Sequence, residues 1–248
     1  MYKIGFTSVT FRKKSREEVC KIAKENSIFN IEWGADVHLP PGDELALEEV
    51  LRLQKEYGIN AVSYGSYYRL GMQDISLWRQ IVETANAVGA KIIRIWQGSV
   101  SSEKVSDSAL ESMINEARIL ADIACEYDIT IAFEFHKNTN NDCAKSAIHF
   151  LKTVNKDNVK TYWQPFSVSD DIENLKAVLP YLVVVHTFSW SKNGRRFSLK
   201  RKEKAWKKYI SIINDSDIYP FFILEFVKND NEKQFVKDAE LLKKWLNK

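Results

Sequence analysis

Lys91-Ile92-Ile93-Arg94-Ile95-Trp96 and Thr130-Ile131-Ala132-Phe133-Glu134-Phe135-His136 are two β-branched and aromatic runs, and between them Ile114, Ala117, Ala121 and Ala124 recur at helical spacing. Short runs of this kind read as strands, while spacings of three and four place apolar residues on one face of a helix. Strand, helix and strand in that order form a parallel crossover unit. The same alternation extends in both directions. Strands are expected at residues 3–8, 30–33, 60–64, 91–96, 130–135, 159–163, 182–186 and 221–226. Between them, Ser15 and Glu18 form a capping box ahead of Val19, Ile22 and Ala23. Residues 44–57 present Leu47, Val50, Leu51 and Leu53 and stop at Gly58, a helix C′ residue; Trp78, Ile81, Val82, Ala85 and Val88 end at Gly89 in the same way. Further helices are expected at 143–154, 172–178, 202–213 and 232–246.

Eight such units without a Pro/Ser-rich linker predict a single (β/α)8 barrel over residues 1–248, about 31 residues per unit. A doubly wound open sheet is the alternative, but it usually carries a glycine-rich phosphate turn after its first strand. Here that turn reads Thr7-Ser8-Val9-Thr10-Phe11-Arg12, without glycine, and no Walker A sequence occurs. Scarce Gly (9) and Pro (5) argue against a low-complexity chain. A net charge of +3, from 36 basic and 33 acidic side chains, gives no support for nucleic-acid binding. The three cysteines, Cys20, Cys125 and Cys143, show no C-x-x-C spacing and read as buried thiols of a reducing compartment. The longest apolar run, residues 218–224, is far shorter than the roughly 20 residues of a membrane span. The first residues lack the apolar core of a signal peptide, so the expectation is a soluble, cytoplasmic protein without a membrane partner.

Functional residues of a parallel barrel lie at the carboxyl ends of its strands. Period two in the fifth strand puts Ile131, Phe133 and Phe135 on one face and Ala132, Glu134 and His136 on the other. The bulky face packs under helices, so Glu134 and His136 point into the mouth. The same reasoning turns His186 inward on the seventh strand and Glu225 on the eighth, and places Gln164 at the matching end of the sixth. Two carboxylates, an imidazole and an amide carbonyl suit one hard or borderline divalent ion, Mg²⁺, Mn²⁺ or Zn²⁺.

These features resemble the xylose-isomerase-like barrels, also called sugar phosphate isomerase/epimerase-like proteins. The resemblance spans essentially the whole chain. It is carried by Gly5-Phe6-Thr7-Ser8, by Ile31-Glu32-Trp33-Gly34 with Asp36 and His38, by Lys91-Ile92-Ile93-Arg94-Ile95, by Glu134-Phe135-His136-Lys137-Asn138-Thr139, and by His186 and Leu224-Glu225. It implies one divalent metal held by residues of strands five to eight, and so assigns ligand roles to Glu134, His186 and Glu225. At the sixth strand this chain has Gln164 where the family more often has Asp, and an amide oxygen is the weaker ligand.

The resemblance further implies proton abstraction next to a carbonyl on a small carbohydrate or related hydroxy-carbonyl substrate. A metal chelating the carbonyl and the adjacent hydroxyl would stabilise a developing enediolate, with Glu134 and Glu225 as the acid/base pair. His136, His38 and Arg94 are candidates to hold hydroxyls or an anionic group, and Trp33 and Trp96 to wall the sugar ring. The basic stretch at residues 189–208 reads either as an anion-binding lid hinged at Gly194 or as a solvated loop entering a lysine-rich helix. His149 is read as structural or exposed. The family also contains a 3-dehydroshikimate dehydratase branch, whose motif residues 134–142 faintly resemble, so a lyase is the nearest rival. Its endonucleases with three zinc ions are disfavoured by a total of four histidines. A metal-free carbohydrate-binding barrel is the non-catalytic alternative, and a homo-oligomer remains open.

Overall fold

The computed structural model describes residues 3–165, 171–191 and 193–247. Eight parallel strands close into a barrel in sequence order. They are β1 (Lys3–Thr7), β2 (Asn30–Gly34), β3 (Asn60–Arg69), β4 (Ile92–Trp96), β5 (Thr130–Phe133), β6 (Val159–Trp163), β7 (Leu182–Thr187) and β8 (Phe221–Leu224). The intervening helices are α1 (Arg16–Glu25), α2 (Glu44–Tyr57), α3 (Ser76–Ala87), α4 (Asp107–Cys125), α5 (Ala144–Val154), α6 (Asp171–Val178), α7 (Glu203–Asn214) and α8 (Glu232–Leu246). β1 closes the ring by pairing β2 on one side and β8 on the other, with Gly5 opposite both Asn30 and Ile223.

Helix ends follow local chemistry. The Ser15 hydroxyl accepts from the Glu18 amide while Glu18 accepts from the Ser15 amide, completing the expected capping box. Asp43, Ser106 and Asn231 cap α2, α4 and α8 by the same side-chain logic. Gly58 ends α2 at φ 68°, a backbone conformation that L side chains avoid.

Alternation divides the strand residues between two apolar groups. Val62, Ile92, Ala132, Tyr162, Val184 and Ile223 fill the barrel interior. Ile131, Phe133, Val185, Phe222 and Leu224 join the larger core beneath the helices, where Phe133 meets Phe150 of α5 edge-on at 5.1 Å. Three strands differ from expectation by more than one residue in length. β5 and β8 end at Phe133 and Leu224, so Glu134 and Glu225 stand one residue past them, their amides still donating to Ile95 O and Thr187 O. β3 runs on to Arg69 through a register break between Gly65 and Arg69, with Tyr67 at φ 59°. That irregularity carries Tyr67 over the mouth, packed edge-on against Trp96 at 5.2 Å.

Candidate metal centre and active site

Four consecutive strands deliver Glu134, Gln164, His186 and Glu225 to one point, and all four side chains are buried. The Nδ1 of His186 lies 3.3 Å from Gln164 Oε1, 3.5 Å from Glu134 Oε1 and 3.6 Å from Glu225 Oε2. One donor atom from each of Glu134, His186 and Glu225 fits within 4.8 Å of the other two, an arrangement able to hold a metal ion.

Beneath this cluster lies a residue that inspection of strand ends did not select. Glu32 on β2 is fully buried; its Oε2 accepts from the hydroxyls of Ser63 (3.0 Å) and Tyr162 (2.9 Å). Its Oε1 faces Arg94 Nε at 3.2 Å and His186 Nε2 at 3.5 Å. Arg94 on β4 bridges to Glu134 as well, and the Trp96 indole N–H donates to the same Glu134 Oε2 at 2.7 Å. Gly65 makes room for the bridge, since a Cβ there would stand 2.6 Å from Arg94 Nη2. An acidic side chain at an inward position of β2 was the available signal for Glu32, but a lone buried carboxylate cannot be interpreted until its partners are known.

Electrostatics follow from this geometry. Burial alone would raise the Glu32 pKa, yet the Arg94 charge and the nearby His186 outweigh it and bring it down to about 2. Glu134 is likewise desolvated and held well below the usual carboxylate range by Arg94 and His186. For His186, burial works against protonation, but Glu225 and Glu32 overcome it and push its pKa up to about 10. Glu225 moves the other way: burial raises its pKa, and attraction to His186 does not cancel this. Three carboxylates against one guanidinium leave two negative charges uncompensated when His186 is neutral, which is the charge of a divalent ion. Oxygen and imidazole donors of this kind fit Mg²⁺, Mn²⁺ or Zn²⁺.

The remaining sequence candidates separate. Trp96 belongs to the site through Glu134, and half-buried His136 sits beside it at 5.8 Å between ring centres, its Nδ1 2.7 Å from Lys137 O. Arg94 is present but committed: its charge is used by Glu32 and Glu134, not offered to a ligand's anionic group. His38 and Trp33 are not brought to the cluster. His38 Nε2–H donates to Lys14 O and Nδ1 accepts from the Ser8 hydroxyl, both at 3.0 Å, which ties the loop after β1 to the loop after β2. Inward and outward positions alternate, so Trp33, next to inward Glu32, is fully buried in the outer core.

The arginines of the basic stretch have partners among the described residues, Arg195 lying over Phe197. Trp190 and Arg196 form an antiparallel bridge around Gly194 at φ 76°; Arg196 pairs with Asp230 and lies over Phe226, and Arg201 lies 3.9 Å from the Phe197 ring centre. Lys192 lies outside the described residues. His149 is exposed on α5. Of the cysteines only Cys20 is fully buried; Cys125, the last residue of α4, is exposed, and Cys143 is half-buried. No described helix is long and apolar enough to cross a membrane.

Fold and cluster together define a (β/α)8 barrel with an acidic, imidazole-bearing centre at the carboxyl ends of its strands. The chain belongs to the xylose isomerase-like TIM barrel family, whose family model matches residues 3–245. A 3-dehydroshikimate dehydratase from Bacillus anthracis is 21% identical over 199 residues, 74% of this chain and 70% of that protein. The solved structure of the probable 3-dehydroshikimate dehydratase involved in petrobactin synthesis in Bacillus anthracis superposes with a TM-score of 0.84 at 17% identity, covering 98% of this chain and 99% of the other. D-psicose 3-epimerase from Clostridium cellulolyticum H10, solved with D-tagatose, gives 0.73 at 15% identity over 99% and 98% of the two chains. A xylose isomerase-like barrel from Mycobacterium smegmatis, solved with magnesium, gives 0.75 at 15% identity over 99% and 97%.

Proposed function

We propose that this protein is a divalent-metal-dependent enzyme that abstracts a proton from the carbon next to a carbonyl. Glu134, Gln164, His186 and Glu225 would hold the ion, which supplies Lewis-acid stabilisation of the negative charge that develops on the substrate. The substrate is a small hydroxy-carbonyl compound. Trp96, Tyr67 and His136 would border it at the mouth.

The observation that carries this reading is the unequal bonding of the two carboxylates. Glu134 accepts on one oxygen from both Arg94 and Trp96, so it stays ionised and is a poor proton carrier. Among the described residues the ion-pair partner of Glu225 is His186, and burial raises its pKa, which suits a group that takes a proton from carbon and passes it on. Arg94 and Trp96 instead fix Glu134 so that its other oxygen stays toward the donor cluster. A carboxylate that takes up a proton and gives it back suits β-elimination: Glu225 takes the proton from carbon, the C–H electrons form the new double bond as the β C–O bond breaks, and the hydroxyl leaves as water with the proton that Glu225 returns. The dehydratase relative supports this outcome. Epimerisation or isomerisation is the second reading, supported by the epimerases that share the fold; it requires a proton to be returned to carbon from Glu225 or from a second donor.

The test is incubation of Mn²⁺-loaded protein in deuterium oxide with 3-dehydroshikimate and, separately, with D-fructose and D-psicose, followed by NMR. Elimination yields aromatic product signals; epimerisation yields a new sugar carrying deuterium. Glu225→Gln is expected to abolish either signal. Proton exchange that survives this substitution removes Glu225 from the role, and the absence of exchange with all three compounds counts against the reading.

A further inference from the structure

His186 sits between two sets of partners. Its Nδ1 faces the three oxygens of Gln164, Glu134 and Glu225, and on the other side of the ring its Nε2 faces Glu32 Oε1 at 3.5 Å. An imidazole can present a lone pair to a cation from one nitrogen only if the proton resides on the other. We propose that Glu32 is a positioning residue: it holds the His186 proton on Nε2 and thereby turns the Nδ1 lone pair toward the donor cluster. This rests on the metal-dependent reading above but adds a residue to it that touches neither ion nor substrate.

Three features give Glu32 this role. First, it cannot itself become a ligand without dismantling its surroundings, because Oε2 receives the Ser63 and Tyr162 hydroxyls and Oε1 faces Arg94 and His186. Second, its partners come from β3, β4, β6 and β7, so the carboxylate is braced from across the barrel. Third, the Tyr162 ring that donates to Glu32 also packs edge-on against the His186 ring, 5.0 Å between centres at 82°, which opposes ring rotation. Arg94, shared between Glu32 and Glu134, gains from the same brace. With Glu32 present it divides its charge between two carboxylates; without it, Arg94 would settle on Glu134 and compete there with a cation.

The experiment is Mn²⁺ binding by isothermal titration calorimetry to metal-stripped wild type, Glu32→Gln and Glu32→Asp. Glu32→Gln is expected to weaken binding about 10–100-fold, the usual effect of losing such an outer partner, with partial recovery in Glu32→Asp. Circular dichroism of the metal-free variants checks that they fold. In ¹⁵N-histidine-labelled wild type loaded with Mg²⁺, His186 should carry its proton on Nε2, a readout that needs no variant to fold. Binding by folded Glu32→Gln within threefold of wild type, or a proton on Nδ1 in the loaded wild type, overturns the role of Glu32. Wild type that takes up no Mn²⁺ overturns this inference together with the metal-dependent reading. Wild type that binds Mn²⁺ yet exchanges no substrate proton defeats only the proposed reaction.

Discussion

Removing the cation beneath the cluster should expose how tightly the charged groups depend on one another. Arg94 is buried, as are both its partners, Glu32 and Glu134. Arg94→Met keeps most of the volume and deletes the charge. Breaking a buried pair by removing one partner costs about 3–5 kcal/mol, since the other charge stays desolvated. Here two carboxylates lose a partner, although Glu32 keeps its two hydroxyl donors and Glu134 keeps the Trp96 indole. The expected cost is therefore about 4 kcal/mol, a large share of the 5–15 kcal/mol typical of a folded protein. With a urea m-value of about 3 kcal/mol/M, the unfolding midpoint would fall by about 1.3 M. Glu32→Gln leaves Arg94 its bond to Glu134 and should cost less, about 1–3 kcal/mol. The double variant lacks both members of one pair, so its cost should fall short of the sum by about 2 kcal/mol. The assay is urea denaturation of the four proteins in chelator, so that metal affinity does not enter. Additivity within about 0.5 kcal/mol, or a cost below about 1 kcal/mol for Arg94→Met, would refute the claim that these charges form one interdependent network.

Other consequences are separately testable. Gln164→Asp adds a third carboxylate to the donor set, so Mn²⁺ affinity should rise about tenfold or more while the metal-free protein loses thermal stability, both measurable by titration calorimetry and scanning calorimetry. Gly65→Ala places a methyl against Arg94 and should destabilise by about 1–3 kcal/mol in chemical denaturation; an unchanged midpoint would show that Arg94 can move freely. The pKa of His38 is lowered, chiefly by burial. The unfolded chain then binds the proton first as pH falls below about 6.5, so this residue costs stability toward acid, by at most about 1.4 kcal/mol per pH unit, and costs nothing well above 6.5. The stability gap between wild type and His38→Gln should accordingly narrow from pH 7 to pH 5 and stay constant above pH 7.5. Burial pushes the Cys20 thiol up to about 12, whereas Cys125 is exposed. A thiol reagent at pH 8 should label Cys125 first and leave Cys20 unmodified until the protein unfolds, as peptide mass mapping would reveal.

The barrel was legible because each strand and helix states its own period. Residues 130–136 alternate so strictly that the inward set, Ala132 and Glu134, follows from the pleat alone, and the capping box at Ser15 and the stop at Gly58 need only their immediate neighbours. Strand length was less accessible. The extension of β3 to Arg69 depends on a register break against β4, and the ends of β5 and β8 depend on where the adjacent strands stop donating.

Local sequence therefore determined the fold and the inward direction of Glu134, Gln164, His186 and Glu225, since period two and chain order are properties of short segments. What each polar side chain meets was decided only by tertiary structure. Arg94 is 40 residues from Glu134, and Tyr162 is 130 from Glu32, yet each pair is in direct contact. His38 and Arg94 read alike as candidate substrate contacts; closure of the barrel gave one to Ser8 and Lys14 and the other to two buried carboxylates. A buried charge takes its role from its partners, and those partners are assembled only when the last strand meets the first.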